Sequence, residues 1–365
     1  MFKISSDYPG GNIKLISIED SNVKLEQELR DSTSWWFYWN FCVEDAEGLT
    51  ITFEFMNKEV LGPWGPAVSK DRINWKWAGS DCLISRSIFK YTFDSNEKVY
   101  FAFSMPYQVS DFERFYSQYE NHPLLKRDIL TKSEQGRDVA ILTIGRENAF
   151  NDIVFTSRHH ACESTGAYVL EGVLRYFLNH SPKLLDTCRI HAIPFIDIDG
   201  VENGDQGKNR APHDHNRDYI NIPIYKSTSA LMRYVEKLNP VIGIDYHAPY
   251  KWGGNHDYLY IVKRSSPIKE RIEEFGEILK DFINEDTSPD KIIFDEAYSI
   301  EMGESWNKEG TPTFATFMEN RGAHLCFTLE VPYFGIGNTV YTQKNLRSLG
   351  TNFAKAIEKY YNLHF

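Results

Sequence analysis

The pattern of apolar residues changes near Pro106, and this change constrains the fold more than any other feature of the sequence. Before it, short runs rich in aromatic and β-branched residues lie at 34–43, 49–55 and 98–103, separated by turns that contain Gly, Pro, Asn and Asp. Short strands with turns of this kind and no long helical pattern are typical of two packed antiparallel sheets. The sequence therefore predicts an antiparallel β-sandwich in the first part of the chain.

From about residue 151 the pattern becomes strand, loop and helix in repeated order. Buried-strand candidates lie at 153–156, 190–195, 241–244, 258–262 and 325–329, and helical spacing of apolar residues appears at 167–177, 268–282 and 346–357. Such alternation predicts an α/β fold with a twisted, mixed and mostly parallel sheet flanked by helices. The length of 365 residues fits two domains,. We expect a β-sandwich domain at 1–105 and an α/β domain at 106–365.

Charge and composition argue against two classes of partner. Lys and Arg number 40 against 51 Asp and Glu, which gives a net charge of −11. This balance opposes binding to nucleic acid phosphates and to anionic membrane surfaces. No apolar run approaches the ~18 residues of a membrane span, and the N-terminus lacks the basic-then-apolar pattern of a signal peptide,. We therefore expect a cytoplasmic protein with neither a nucleic acid nor a membrane as partner.

Residues that can bind metal or substrate follow several predicted strands. His160 and Glu163 lie three apart where a strand leads into a helix, and an imidazole with a carboxylate suits zinc,. His247 and Glu330 each end a later strand candidate. A long loop after the strand near 195 carries further polar residues. Because ligands bind at the carboxyl ends of strands in open α/β sheets, these groups are expected to meet at one edge.

The ordered set resembles the zinc metallocarboxypeptidases. It comprises His160-x-x-Glu163, then Asp199-Gly200-Val201-x-x-Gly204 leading to Asp214-His215-Asn216-Arg217, then His247, then Thr328-Leu329-Glu330. The N-terminal part resembles the β-domain of the cytosolic carboxypeptidase branch, with counterparts at 36–41, at the Gly-Pro turn of 62–66 and at 105–107. The resemblance covers nearly the whole chain and makes 106–365 the expected catalytic domain.

The resemblance implies a metal site. It assigns His160, Glu163 and His247 as ligands of one Zn²⁺ per chain,. It assigns Asp214 as the carboxylate that orients His160 from behind,.

It also implies the catalytic and binding groups. Glu330 would take a proton from the attacking water and return one to the leaving amine. Arg210 would stabilise the oxyanion, with Lys208 as the alternative because the loop from Asp205 to Pro212 can align differently by a few residues,. Asn216 and Arg217 would hold the terminal carboxylate of the substrate.

The expected reaction is hydrolysis of the C-terminal peptide bond of peptides or protein tails. Resemblance to the cytosolic branch favours acidic terminal residues, whereas the net charge of −11 opposes them unless a local basic groove exists, which the sequence does not show,. Two alternatives stay open: an aspartoacylase-like zinc amidohydrolase of small acylated amino acids, and a zinc-bearing binding protein with weak turnover. The Asn216–Arg217 pair favours the peptidase over the first, and Glu330 argues against the second.

The sequence departs from the family pattern at two places. The position of the family's substrate-capping Tyr is Lys308 here, so no catalytic Tyr is assigned, and a replacement near Trp306 stays open. Cys162 stands inside the zinc motif, where we interpret it as a packed small residue,. His213 and His215 flank Asp214, and we interpret both as loop residues that do not bind the metal.

Overall fold

The computed structural model describes residues 2–32, 37–57, 59–337 and 339–365. Its strands are, in chain order, β1 (Lys3–Ser5), β2 (Lys14–Glu19), β3 (Asn22–Glu26), β4 (Asn40–Glu44), β5 (Thr50–Phe55), β6 (Ala67–Ser69), β7 (Lys76–Trp77), β8 (Ile88–Thr92), β9 (Val99–Ala102), β10 (Leu125–Lys132), β11 (Asp138–Ile144), β12 (Asn151–Ser157), β13 (Cys188–Ile193), β14 (Pro240–His247), β15 (Tyr260–Val262), β16 (Leu325–Glu330), β17 (Gly335–Ile336) and β18 (Thr339–Val340). Its α-helices are α1 (Val109–Tyr116), α2 (Ser164–His180), α3 (Ile198–Asn203), α4 (Lys226–Val235), α5 (Ile268–Glu285), α6 (Phe314–Asn320) and α7 (Gln343–His364).

The N-terminal part is a sandwich of two sheets, in the strand orders β1-β4-β9-β6-β7 and β2-β3-β5-β8. Alternate residues of β5 point inward, and Phe53 packs on Phe41 and Phe101 of the opposite sheet. Aromatic pairs of this kind add to the stability that area burial gives. The predicted sandwich is confirmed, with one correction: β3 and β5 pair in parallel, because the intervening β4 belongs to the other sheet.

The aromatic segment before β4 joins the sandwich core to the second domain. Trp39 is fully buried and packs on Phe55, while the backbone N–H of Tyr38 donates to Gln206 Oε1 across the domain boundary at 2.9 Å. Trp35, and Trp36 at the start of the 36–41 segment, lie outside the described residues. The predicted boundary between residues 105 and 106 stays a prediction.

The second domain is built on a seven-stranded sheet in the order β10-β11-β13-β12-β14-β16-β15. The four central strands β13, β12, β14 and β16 are parallel, whereas the edge strands pair antiparallel. No strands are predicted from the sequence at β10 and β11. These two strands on one side and β15 on the other make the sheet antiparallel at both edges and parallel at its centre. Helix α7 packs with α2 and α5, and α6 packs on β14 and β16. Within these residues no helix combines the length and the apolar character that crossing a membrane requires.

Register on β14 assigns its residues to the two faces of the sheet. A side chain at Gly243 would strike Met318 of α6, whereas Tyr246 contacts Phe353 of α7. Because side chains alternate along a strand, Asp245 and His247 lie on the Gly243 face. His247 is directly in register with Glu330 of β16, so the two residues lie side by side where both strands end.

Candidate active site

A cavity of about 520 Å³ lies at the carboxyl edge of the parallel strands. Its wall includes His160, Glu163, His247, Arg217 and Glu330. The separate groups that the sequence placed after different strands therefore do meet at one edge of the sheet. A concave site with a few convergent polar groups is typical of a ligand site in such sheets.

The loop between β12 and α2 has an unusual backbone that turns two site residues into the cavity. Arg158 has a φ of +59°, and its buried guanidinium folds back so that Nε donates to the Ala161 carbonyl at 3.0 Å. Gly207 of a second loop lies directly against it, since a Cβ there would be 2.2 Å from the Ala161 nitrogen. Both loops are thus held in fixed contact, with His160 and Glu163 between them.

His160, Glu163 and His247 form one buried cluster. Glu163 Oε1 lies 2.9 Å from Nδ1 of His160, and Glu163 Oε2 lies 2.7 Å from Nδ1 of His247. Oε2 nevertheless receives no hydrogen bond of acceptable geometry from the described residues. A buried carboxylate oxygen without a donor, facing an imidazole nitrogen, fits a metal cation shared between the two groups. The three residues are within reach of a single ion.

The charges of this cluster are strongly coupled. Despite burial, His160, Lys208 and His247 hold the pKa of Glu163 well below its usual range. Burial likewise opposes ionisation of His247, but Asp245 and Glu163 raise its pKa well above the usual value. Perturbed groups concentrated in a cleft indicate a functional site.

A second possible metal group shares His247 but faces the interior. It consists of His159, Asp245 and His247. His159 is fully buried and makes hydrogen-bond contacts to Asp245 Oδ1 at 2.9 Å and to the Tyr219 hydroxyl at 2.7 Å. Neither His159 nor Asp245 lines the cavity. A metal that acts on a substrate therefore fits only the Nδ1 side of His247, which faces Glu163.

Two carboxylates lie behind the candidate ligands. Asp214 Oδ1 is 3.4 Å from Nε2 of His160, and Asp245 Oδ2 is 2.5 Å from Nε2 of His247. Such contacts fix the ring orientation and leave the opposite nitrogen for a metal. The sequence analysis named Asp214 and missed Asp245. The spacing Asp245-x-His247 on a strand, which places both side chains on one face, is the signal that could have revealed it.

The two candidate cations for the oxyanion have different environments. Arg210 is buried, and its guanidinium contacts the carboxylates of Asp31, Asp197 and Asp205, the last at 3.1 Å. Lys208 Nζ lies 2.5 Å from Glu163 Oε1 and donates to the Ala248 carbonyl at 3.1 Å. Both residues line the cavity. The acidic neighbours hold Arg210 in place, whereas Lys208 lies inside the ligand cluster.

Asn216 and Arg217 lie next to each other on the cavity wall. The Asn216 side-chain oxygen accepts from the backbone N–H of Phe314 at 3.1 Å, and its nitrogen is 3.2 Å from Nε2 of His247. Arg217 is half-buried, and its Nη1 donates to the Asn216 carbonyl at 3.0 Å. Asn216 thus supports His247 and α6, while Arg217 offers a guanidinium to the cavity.

Glu330 has the environment of a proton acceptor. It is 5% exposed, and its Oε2 finds no hydrogen-bond partner among the described residues. Burial and the neighbouring Glu163 carboxylate raise the pKa of Glu330 to about 7. A carboxylate with a pKa near neutral pH is suited to general acid–base chemistry.

The residues that depart from the family pattern have local roles. Lys308 is exposed and donates to the Gly303 carbonyl at 2.9 Å, whereas Trp306 lines the cavity. Cys162 is buried, Gln206 Nε2 lies 2.7 Å from its sulfur, and burial raises its thiol pKa to about 12. Cys162 is therefore a packed thiol.

The two histidines of the loop have partners outside the cluster. His213 Nε2 lies 2.7 Å from Asp218, and His215 stacks on Tyr225 with ring centroids 3.7 Å apart. Neither belongs to the groups of possible metal ligands in the part of the chain that the structure describes.

Comparison with known proteins agrees with this geometry. Residues 115–364 match the model of a family described as zinc carboxypeptidase. The chain belongs to the zinc carboxypeptidase family. Residues 4–104 match the cytosolic carboxypeptidase N-terminal domain. The family resemblance drawn from the motifs, the fold class and the expectation of a peptide-bond hydrolase are confirmed, and the chain is a metallocarboxypeptidase.

The similar proteins include curated relatives and a solved structure. The chain is 25% identical to cytosolic carboxypeptidase 6 of Caenorhabditis elegans over 96% of its own length and 84% of the relative's. It is 25% identical to cytosolic carboxypeptidase 2 of Xenopus tropicalis, over 79% of this chain but only 33% of that protein. The metallo-carboxypeptidase from Burkholderia cenocepacia shares the fold over the full length of both chains, with a TM-score of 0.83 and 16% identity.

Proposed function

We propose that the protein removes single residues from the free C-termini of peptides or protein tails, with one Zn²⁺ held by His160, Glu163 and His247. The observation that carries this proposal is that Glu330, whose Oε2 has no hydrogen-bond partner among the described residues, lies in the same cavity as this cluster. The bound zinc would supply Lewis acidity that polarises the scissile carbonyl. Asp214 and Asp245 would keep the two imidazoles in the orientation that binding needs,.

Glu330 acts as the general base and then as the general acid. It takes a proton from the attacking water and returns one to the leaving amine. With a pKa of about 7, a large fraction of Glu330 is ionised at neutral pH and can accept a proton. The protonated carboxyl group is still acidic enough to donate that proton to the leaving amine,.

Lys208, rather than Arg210, is the better candidate for the oxyanion donor. A donor of this kind must be aimed at the place where negative charge develops. Lys208 contacts the ligand carboxylate of Glu163, and its positive charge lowers the pKa of Glu330. The guanidinium of Arg210 is held by the carboxylates of Asp31, Asp197 and Asp205 and acts as a structural link between the two domains.

Arg217 binds the terminal carboxylate of the substrate. A guanidinium matches a carboxylate through two parallel hydrogen bonds, which gives both orientation and selectivity. Asn216 contributes mainly by holding His247 and the first turn of α6. A carboxylate clamp beside a hydrolytic metal restricts cleavage to chain ends.

Acidic terminal residues are the proposed preference, because the cavity has a basic wall that the net charge of −11 conceals. Arg264 lines it and is held by Glu319, whose Oε2 accepts from Arg264 Nε at 2.9 Å. With Lys208 and Arg217 it places positive charge on the cavity wall, and a terminal acidic side chain would be attracted to that charge,. A cytoplasmic location, as the names of the relatives suggest, completes the proposal.

The test is digestion of a peptide library with varied C-termini, read by mass spectrometry. We expect the zinc-loaded protein to remove single C-terminal residues, acidic ones most rapidly, and Glu330→Gln to remove none. Peptides amidated at the C-terminus should resist cleavage. Equal cleavage of free and amidated peptides would contradict the Arg217 clamp, and intact peptides in every sample would favour an acyl-amino-acid hydrolase or a binding protein.

Arg264→Met tests the acidic preference separately. The substitution keeps an extended side chain and removes the charge, so cleavage of Glu- and Asp-terminated peptides should fall while cleavage of apolar termini persists. An unchanged ratio between the two classes of peptide would contradict the role of Arg264.

A further inference from the structure

Tyr260 lies directly beside the proposed base. It begins the edge strand β15 and pairs antiparallel with Glu330 of β16. Directly opposed residues project from the same face of a sheet, with Cβ atoms about 4.5–5.5 Å apart. Both side chains line the cavity. The phenol of Tyr260 and the carboxylate of Glu330 are therefore neighbours on one wall.

The hydroxyl of Tyr260 has no partner within the described residues. The side chain is fully buried, and the oxygen neither donates nor accepts a hydrogen bond there. A buried polar group without a partner destabilises the fold by about 1–3 kcal/mol. Such groups in native structures require an explanation, and a ligand is one of the few available. Burial and the Glu330 and Glu163 carboxylates raise the pKa of Tyr260 well above its usual value, so the hydroxyl keeps its proton.

Tyr246 shows that the position of the hydroxyl, and not burial alone, distinguishes Tyr260. It too is fully buried, and its hydroxyl has no partner in the described part of the chain. It lies, however, on the opposite face of β14 and packs on Phe155 and Phe353 in the apolar core. It does not line the cavity. Tyr260 instead lines the cavity, beside Glu330.

That wall also carries other polar side chains. Tyr260 and Val262 project from the same face of β15, and Val262 pairs with Thr328,. Tyr260, Thr328 and Arg264 all line the cavity. A terminal residue whose carboxylate is held by Arg217 and whose amide lies at Glu330 must place its side chain against a neighbouring wall, and this wall adjoins Glu330.

We propose that the Tyr260 hydroxyl is a specificity-determining donor, which hydrogen-bonds the side chain of the substrate's C-terminal residue and favours side chains that end in an acceptor oxygen. The inference rests on the proposed function and adds a residue that the family motifs do not include. It explains why a buried hydroxyl without a partner is retained beside the catalytic carboxylate. Arg264 supplies charge to the same side chain, whereas Tyr260 supplies a directional contact.

The experiment compares peptides that are identical except for a terminal Glu, Gln, Met or Leu. The values of kcat/KM are measured for zinc-loaded wild type, Tyr260→Phe and the matched control Tyr246→Phe. We expect Tyr260→Phe to lose about tenfold to hundredfold on Glu and a smaller factor on Gln. Cleavage of peptides with Met or Leu termini should persist or rise, because an apolar terminal side chain would no longer lie against a hydroxyl that it cannot hydrogen-bond. Tyr246→Phe should keep the wild-type ratios among the four peptides.

The outcomes separate this inference from the proposed function. If the wild type removes no terminal residue from any peptide, the proposed function itself fails. If the wild type cleaves but Tyr260→Phe keeps the wild-type ratios, or loses the same factor on all four peptides, the specificity role is overturned.

A second measurement does not depend on turnover or on the Tyr260 variant folding. Calorimetric binding of free L-glutamate, L-glutamine and L-methionine to zinc-loaded Glu330→Gln should show tighter binding of the two acceptor-bearing amino acids. Equal binding of all three would overturn the proposal even without kinetic data.

Discussion

Replacing Lys208 by Met should abolish most of the activity while leaving the folded, zinc-loaded protein intact. Met keeps an unbranched apolar side chain and removes only the ammonium group, which lies 2.5 Å from Glu163 Oε1 and 3.1 Å from the Ala248 carbonyl. When zinc is bound at His160, Glu163 and His247, its charge compensates the Glu163 carboxylate. The loss should therefore appear in the reaction rather than in stability.

The size of the effect follows from the role of the ammonium group. Removal of one oxyanion donor lowers kcat by about 10²–10³, or roughly 3–4 kcal/mol of transition-state stabilisation. KM should change little, because the contact strengthens only as the oxyanion forms. Lys208 also lowers the pKa of Glu330, so the acid limb of kcat/KM should move to higher pH in the variant.

Arg210→Met is the matched variant, because the same charge is removed two residues away. Breaking a buried ion pair costs about 3–5 kcal/mol, and the lower end applies here. Asp31 is 42% exposed, and Asp205 keeps its contact with Arg30 at 3.0 Å, so mainly Asp197 is left without a counter-ion. The free energy of unfolding in urea should fall, while kcat of the folded enzyme should not.

Stopped-flow and steady-state assays on a Glu-terminated peptide, with zinc content measured in parallel, decide between the two residues. The reasoning would be refuted if Lys208→Met retained wild-type kcat at full zinc occupancy. The roles of the two residues would be exchanged if Arg210→Met lost kcat by the factor expected for Lys208→Met while its free energy of unfolding stayed the same.

Three further predictions concern the metal and the base. Asp245→Asn should weaken zinc binding about 10–100-fold in competition with a chromophoric chelator, because Asp245 orients His247 from 2.5 Å,; an unchanged affinity would contradict that role. The value of kcat/KM should fall as the pH drops below about 7, since burial and Glu163 raise the pKa of Glu330 to about 7 and the base must be ionised,. Bound zinc favours the ionised carboxylate and lowers the apparent pKa of Glu330, so the acid limb of the profile should lie at or below pH 7. An acid limb above pH 7 would argue against Glu330 as the base. Chelation of zinc should lower the thermal midpoint, because an ion at 1,000 times its dissociation constant stabilises the fold by about 4 kcal/mol, and an equal midpoint with and without chelator would contradict a metal site at the cluster.

Much of the fold was visible in the sequence because it depends on local periodicity. Buried strands such as β12 and β14 are short apolar runs rich in β-branched residues, and α5 has apolar residues at helical spacing,. The hairpin of β10 and β11 was missed because β10 is largely exposed and rich in charged residues, which weakens the strand signal. The parallel pairing of β3 and β5 was missed because it depends on β4 leaving for the other sheet.

The candidate site was partly visible for a chemical reason. His160, Glu163, His247 and Glu330 are residue types that bind metal or carry protons, and each stands where a predicted strand ends. Parallel strands bring their carboxyl ends to one edge, so order along the chain was enough to expect a common site. The resemblance also implied that Asp214, two residues before Asn216, lies near His160, and the two side chains are 3.4 Å apart.

The sequence by itself determined the family, the two-part architecture and the set of groups that gather at the carboxyl edge of the sheet. Only the tertiary structure decided which of two cations in one loop lies beside Glu163, because that depends on where Asp31, Asp197 and Asp205 come to lie. Tyr260 belongs to β15, and only the pairing of that strand with β16, some seventy residues later, brings it to Glu330. Register between distant strands is set by packing of the whole sheet, which no local pattern encodes.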